Sequence, residues 1–350
     1  MTYAPILIPT LNRYEHLRLC VDSLKANSWA QYTDLIIALD YPKAKRHWDG
    51  YHKIEDYLAN EDFSAFRSLK VIKRTRNLGA IGNFEVLVQE CFEEYDRCIC
   101  TFDDLEHSPN FIEYMDRNLE AFREDASVVA VEGFSYPVQW QYAPGCNIAK
   151  QNFCGSIWGI GYWKDKYNEM WNYLRRGGLI ENFDRAQAEG FPWLIDCARQ
   201  GYVRGMYSGI YVRSVLKRMT DISMRIYLGV EDKYFVMPSV SMVRNHGFDG
   251  SGAICEKIEP GGDDYVCWTY NYGQQPINED PVYTPVFDPD FDLAENYRRF
   301  NKFEYMDPAE MREIDRMAEA FCHKNALQRK LLFIPAVAHK IGPYIKRKLK

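Results

Sequence analysis

The first third of the chain alternates short, uniformly apolar runs with segments of helical period, and that alternation limits its fold more than any other feature. Ala4 to Ile8 is the first run, stopped by Pro9-Thr10; Leu35 to Leu39 is the second, ended by Asp40-Tyr41-Pro42. Leu69 to Ile72, Arg97 to Phe102 and Val128 to Val131 continue the series. Between them, Tyr14 to Ala26 places Leu17, Cys20, Val21 and Leu24 on one helical face, and Ile81 to Cys91 aligns Phe84, Val88 and Cys91. Ser108 reads as an N-cap with Pro109 in the first helical position, for a helix running to about Phe122. Strands that are apolar on both faces and joined by helices predict an α/β fold with a mainly parallel sheet covered on each side. Ligands of such sheets bind at the carboxyl edge, so polar residues directly after a strand are the first functional candidates.

Beyond Gly133 the pattern loosens into aromatic loops, then the glycine-rich segment Gly155 to Trp163, then helical stretches to about Arg218. Val230 to Asn245 contains a further strand, and His246 to Gly252 is a glycine-rich loop. The division expected is one large domain over 1–320, with halves 1–133 and 134–320, followed by a basic tail over 321–350. The ten cysteines follow no regular framework, and Cys98-Ile99-Cys100 is too closely spaced for a zinc knuckle, which fits a reducing compartment. Aromatics make up 15% of the chain, enough either to fill a large core or to line a sugar-facing cleft. The N-terminus has neither the basic start nor the apolar length of a signal peptide, and no window of about 18 apolar residues spans a bilayer. A cytoplasmic protein is expected.

The tail has its own character. From Lys324 onward there are eight Lys/Arg and no Asp/Glu, on a chain of net charge −6. Leu327 to Ile341 is basic and amphipathic, suited to an anionic membrane surface, to packing on the acidic body, or to remaining unstructured. No nucleic-acid partner is expected.

Four strand ends carry the chemistry. Asp103 and Asp104 follow the Arg97–Phe102 run, and successive side chains of an extended segment point opposite ways. One carboxylate is therefore free for a divalent metal while its neighbour turns elsewhere; a solvated acidic turn is the plain alternative. Pro9, Thr10, Asn12 and Arg13 offer backbone and guanidinium donors for phosphate. Asp40 can accept from a nucleobase imide. Asn77 and Gly79 open the helix containing Gly82, in an arrangement that is neither a P-loop nor a dinucleotide fingerprint.

The segment Thr101-Phe102-Asp103-Asp104-Leu105-Glu106, continuing through Pro109-Asn110-Phe111-Ile112-Glu113-Tyr114, closely resembles the acidic segment of N-acetylglucosaminyltransferase I. Pro5 to Arg13 and the helix after it resemble the opening of GT-A glycosyltransferases of family 2. The resemblance implies a GT-A, Rossmann-like sheet with an irregular acceptor-side region, a nucleoside-diphosphate sugar donor, UDP-linked, and a glycan or lipid-linked glycan acceptor. It implies manganese or magnesium on Asp104, with Asp103 beside the nucleotide, Asp40 at the base and Arg13 at the nucleotide. Ungapped counting from Pro238, Ser241 and Gly247 places Asp221 on the catalytic base of an inverting transfer, with Asp196 and Glu231-Asp232 as rivals. Gly247 to Gly252, including Ser251, corresponds to a segment closing over the nucleotide, and His246 to either a late metal ligand or a structural histidine. Phe102 and Ile222 stand where the relatives carry acidic residues. The two other readings are a nucleotidyltransferase, against which the Pro9–Arg13 segment argues, and a non-catalytic glycan-binding protein on the same fold.

Overall fold

The computed structural model describes residues 2–179, 219–252 and 275–304, together with Lys217 and Arg312. The chain divides into two compact units, Met1–Tyr167 with Tyr234–Glu304, and Asn168–Lys233 with Tyr305–Lys350. The boundary expected near 133 therefore falls inside the first unit, and the tail over 321–350 lies outside the described residues.

The first unit is built on strands β1 (Ile6–Thr10), β2 (Asp34–Leu39), β3 (Ser68–Lys73), β4 (Arg97–Cys100), β6 (Val128–Glu132), β7 (Ile148–Gln151), β8 (Ile160–Trp163) and β9 (Tyr234–Pro238). They form one sheet in the order β3-β2-β1-β4-β8-β6-β9-β7. β1 to β4 run parallel, as does the β6–β9 pair, while β8 is antiparallel to both β4 and β6 and β7 is antiparallel to β9. The mainly parallel sheet expected from the apolar runs is present. A separate antiparallel ladder joins β5 (Leu105–His107) to β10 (Val243–Asn245).

The first strand runs two residues further than expected, through Pro9 and Thr10. The reason lies in the ladder. Leu7 accepts from Thr101 on the β4 side and Thr10 from Asp40 on the β2 side, so Pro9, two residues after Leu7, turns its missing N–H towards β4 where that ladder has already ended.

Helix α1 (Tyr14–Lys25) buries Leu17, Cys20, Val21 and Leu24 as its period requires. Helix α2 (Trp48–Asn60) follows β2, burying Tyr51, Ile54 and Tyr57; its apolar positions are mostly tyrosines and do not announce it. α3 (Gly79–Cys91) precedes β4. α4 (Phe111–Ala121) starts later than the Ser108-Pro109 signal predicts, because Asn110 is its N-cap residue and the Ser108 hydroxyl lies between Asn110 Oδ1 (2.7 Å) and the Asn278 carbonyl.

The segment 155–163, which the sequence pattern leaves without an assigned element, ends in the central strand β8. Gly159 has φ +65°, and a Cβ there would lie 2.8 Å from Val243 Cγ1 and 3.0 Å from Phe111 Cε2. Only glycine lets the strand enter beneath α4. α5 (Lys164–Arg176) follows it, and α7 (Leu293–Glu304) closes the described part of the first unit. In the second unit, α6 (Asp221–Val230) is capped by Thr220, whose hydroxyl accepts from Ser223 N while Ser223 Oγ accepts from Thr220 N. Among the described residues no helix is long and apolar enough to cross a membrane.

Candidate functional site

The carboxyl ends of β1, β2 and β4 deliver two separate aspartate clusters within the first unit. The first lies where β1 runs into α1 and β4 into β5. Arg13 is the residue preceding α1. Its guanidinium bridges both acidic side chains, with Nη2 on Asp103 Oδ1 and Nη1 2.8 Å from Asp104 Oδ2. The Thr10 hydroxyl donates to the other Asp103 oxygen at 2.8 Å. Asp103 is thus bonded on both oxygens, whereas Asp104 Oδ1 has no hydrogen-bond partner among the described residues. Burial pushes the Asp103 carboxyl above its ordinary range, against the pull of Arg13 and Thr10. Burial also pulls Arg13 down, but the two carboxylates outweigh it and hold its charge firmly.

Gly247 approaches Asp104 so closely that a Cβ there would fall 2.1 Å from Asp104 Oδ2. The approach is set by the β5–β10 ladder, and the His246 amide donates to the Asp104 carbonyl at 2.8 Å. Glu106 and Arg244 face each other across the ladder. Glu106 Oε2 receives Arg244 Nη1 at 3.0 Å and lies 2.8 Å from His246 Nε2. Burial alone would raise Glu106, but His246 and Arg244 together lower it. Nε2 donates to Glu106, which leaves Nδ1 as the ring nitrogen facing away from that carboxylate bond. Further along the loop, Asp249 Oδ2 sits 3.3 Å from His16 Nε2, and Asp249 Oδ1 accepts from Ser251 N at 2.8 Å. Glu106, His16, Arg244 and Asp249 are absent from the residues singled out in the sequence, because each acquires its partner only across a long chain separation.

A buried histidine braces the exit of β4. The Thr101 hydroxyl donates to His107 Nε2 at 2.8 Å, and His107 Nδ1 lies 3.0 Å from Ser23 Oγ. Ser23 Oγ gives its own proton to the Cys20 carbonyl, so Nδ1 carries the ring proton and the imidazole is neutral. Burial holds its pKa at about 3. Phe102, standing where a carboxylate is expected from the resemblance, stacks on Phe84 with centroids 5.6 Å apart.

The second cluster is different in kind. Asp40, only 3% exposed, accepts from four donors: Tyr41 N (2.9 Å) and Leu78 N (2.8 Å) on Oδ1, Gly79 N (2.9 Å) and Asn77 Nδ2 (3.1 Å) on Oδ2. Asn77 Nδ2 also reaches the Tyr41 carbonyl at 2.7 Å. Gly79 takes φ +75° to present its amide at the start of α3. These bonds occupy the hydrogen-bonding capacity of the carboxylate and tie the end of β2 to the first turn of α3. Asn12 lines the same edge through its carbonyl, against which Gly50 of α2 packs so tightly that a Cβ would lie 2.0 Å away.

Among the expected site residues the structure therefore joins Thr10, Arg13, Asp103 and Asp104, and separately Asp40, Asn77 and Gly79. Asp221 opens α6 in the second unit, and its rivals Glu231 and Asp232 follow the other end of that helix; Asp196 lies outside the described residues. Among the described residues no three His, Cys, Asp or Glu side chains gather to hold a metal by themselves.

Residues 6–153 match the family model described as glycosyl transferase family 2. This segment is similar to the catalytic domain of family 2 glycosyltransferases. The match takes in Thr10, Arg13, Asp40, Asn77, Gly79, Asp103, Asp104 and Glu106, while His246, Asp249 and Ser251 lie beyond it. With its sheet order, the glycosyltransferase domain has the Rossmann-like GT-A architecture. Among solved structures, the chain is similar to S. aureus TarS 1-349 in complex with UDP-GlcNAc, at 13% identity and TM-score 0.34, covering 48% of each chain. It is similar also to the mannosyltransferase PcManGT from Pyrobaculum calidifontis in complex with GDP-Man and Mn2+, at 10% identity and TM-score 0.36, covering 65% of this chain and 72% of that one. The chain spans 30% of the longer TarS chain and about half of TarS 1-349. No curated protein matches the sequence.

Proposed function

We propose that the chain transfers a sugar from a nucleoside-diphosphate sugar, UDP-linked in the first instance, to a hydroxyl of a glycan or lipid-linked glycan in bacterial surface polysaccharide synthesis, with inversion at the anomeric carbon. The hexosyl or N-acetylhexosaminyl class of donor fits the resemblance around Asp103-Asp104. The observation that carries the reading is Asp104. It is a carboxylate at the carboxyl edge of a glycosyltransferase sheet, with one oxygen bonded to Arg13 and the other without a hydrogen-bond partner among the described residues. The glycine at 247 leaves space that any side chain would take from it.

These features fit manganese or magnesium. Such hard cations accept one or two protein carboxylates and draw their remaining ligands from water and substrate phosphate, so a three-residue protein cluster is not required. Asp104 would hold the ion, and His246, oriented by Glu106, offers Nδ1 as a second donor. When bound, the ion neutralises the charge of the departing nucleoside diphosphate.

The chain's own groups do the rest. Arg13 supplies a fixed positive charge for phosphate oxygens, and Thr10 keeps Asp103 in place beside the nucleotide. Asn12, Asn77 and the Pro9 backbone line the donor edge, while Asp40, its acceptor positions taken by four amides, holds that edge in shape instead of accepting from the base. The loop containing Ser251 crosses from β10 towards His16 of α1. Asp221 takes the acceptor proton in this reading, an assignment supported by sequence spacing alone. A cytoplasmic enzyme whose basic tail touches an anionic leaflet would meet a lipid-linked acceptor there.

The test is a screen of nucleotide-sugars with manganese, read by thermal stabilisation and slow donor hydrolysis. Stabilisation by one donor that is lost in Asp104→Ala supports the reading; equal stabilisation of that variant rejects the metal assignment. The non-catalytic alternative draws on Phe102, whose ring fills a place where relatives carry a carboxylate. Sugar binding without transfer or hydrolysis across the panel would establish it.

A further inference from the structure

We propose that Arg13 and a divalent cation compete for Asp104, and that the guanidinium displaced from this carboxylate re-pairs with a phosphate oxygen of the donor. The inference rests on the metal reading of Asp104 and adds what Arg13 does to it. Three observations lead here. One guanidinium bridges two adjacent carboxylates, each of them largely withdrawn from solvent. The two bonds are unequal in context, because Asp103 keeps a second partner in Thr10 while Asp104 depends on Arg13 alone. Arg13 is the least buried of the three: its side chain is 18% exposed, against 6% and 14% for the two acids.

A buried carboxylate pair needs a nearby cation, since two like charges at this spacing oppose each other's ionisation. Arg13 meets that need. A divalent ion on Asp104 would stand within a few ångströms of the guanidinium, where two positive charges repel strongly in a poorly hydrated site. One of them must then give way at Asp104. Asp103 remains bonded through Thr10 whichever way the exchange goes, so the pivot of the movement is fixed. A diphosphate offers the freed guanidinium planar, charged oxygens well matched to its donors. Arg13 is in these terms a positioning residue that couples metal to nucleotide: metal alone binds against it, and metal with nucleoside diphosphate binds with it.

The experiment titrates Mn2+ alone, without sugar or enzyme turnover, into the wild-type chain and the variants Arg13→Gln, Arg13→Lys and Asp104→Ala, reading free Mn2+ by electron paramagnetic resonance. The same titrations are repeated with UDP present. Arg13→Gln is expected to bind Mn2+ alone ~5- to 50-fold more tightly than wild type, the ordinary size of a coupling between sites. UDP should then strengthen Mn2+ binding less in this variant than in wild type. Unchanged or weaker Mn2+ binding by Arg13→Gln, with circular dichroism matching wild type, overturns the proposal. If that variant does not fold, Arg13→Lys decides: an ammonium lacks the planar fork that places separate nitrogens on the two acids, so tighter Mn2+ binding supports competition and wild-type affinity refutes it. Undiminished Mn2+ binding by Asp104→Ala would instead remove the metal reading underneath, which separates the two failures.

Discussion

Asp40 and Asp104 both stand just beyond the end of a parallel strand, yet the structure treats them in opposite ways. Asp40 accepts from three backbone amides and one side-chain amide, all neutral donors within a few residues of two strand ends. Asp104 has one charged partner, Arg13, and one oxygen without a hydrogen-bond partner among the described residues. Backbone donors cannot leave without unravelling local structure, whereas a guanidinium on a long side chain can. The first arrangement fastens elements together, and the second leaves a carboxylate with an exchangeable partner. Strand-end position alone does not separate these roles; the kind of donor does.

That contrast can be broken most sharply by paired substitutions. Asp104→Ala should lower donor turnover by ~10²- to 10³-fold, the scale of removing one principal electrostatic contact from a transfer site, with the melting temperature nearly unchanged. Asp40→Ala should do the reverse in kind. Stranding amides of Leu78, Gly79 and Tyr41 is expected to cost about 1–3 kcal/mol per buried unpaired group, seen in urea unfolding. A variant of Asp40 that keeps full stability but loses donor binding would erase the distinction.

The brace behind Asp103-Asp104 gives a pH test. His107 has a folded pKa of about 3, against an ordinary value of 6.5, so the unfolded chain takes up its proton first as pH falls. Stability from this group is present above about pH 6.5 and is lost towards pH 3, at about 1.4 kcal/mol per pH unit within that window. Asp116 acts with the opposite sign. Burial raises its carboxyl to about 7, so it costs stability as pH climbs from its ordinary value of 3.8. The His107 contribution is therefore read as the difference between wild type and His107→Asn in denaturant series from pH 4 to 7, and the variant should show the shallower loss on acidification. The smallest effect is expected from Asn77→Ala, about 0.5–1.5 kcal/mol for the side-chain bonds to Asp40 and Tyr41, measured by the same unfolding.

Much of the sheet was legible because β1, β2, β4 and β6 are buried on both faces and so are written as unbroken apolar runs. β8 was not, since its burial depends on Gly159 and Gly161, residues that sequence patterns associate with loops. Gly161 is placed by Leu119, whose side chain leaves no room for a Cβ without shifting. β5 and β10 are three residues each and pair across a very long chain separation, beyond the reach of any local period. α2 hides its apolar face in Tyr51 and Tyr57. In the site, Asp103-Asp104 was legible from strand-end position and from the resemblance. The saturation of Asp40 was not, because its donors are mostly backbone amides and every residue type carries one. Glu106 and His246 meet only through the β5–β10 register.

The strand order also sets a schedule for the growing chain. β1 to β4 are assembled from neighbouring strand–helix units and can pair as soon as Cys100 has emerged. The other side cannot. β8 must slide between β4 and β6, both made before it, and β9 arrives beside β6 only after the whole stretch from Asn168 to Lys233 has been synthesised. Pairings of such separation form slowly, because chain entropy is lost before contacts reward it. The open flank of β6 is thus a window of vulnerability during synthesis, in which Val128 to Val131 stand without their β9 partner.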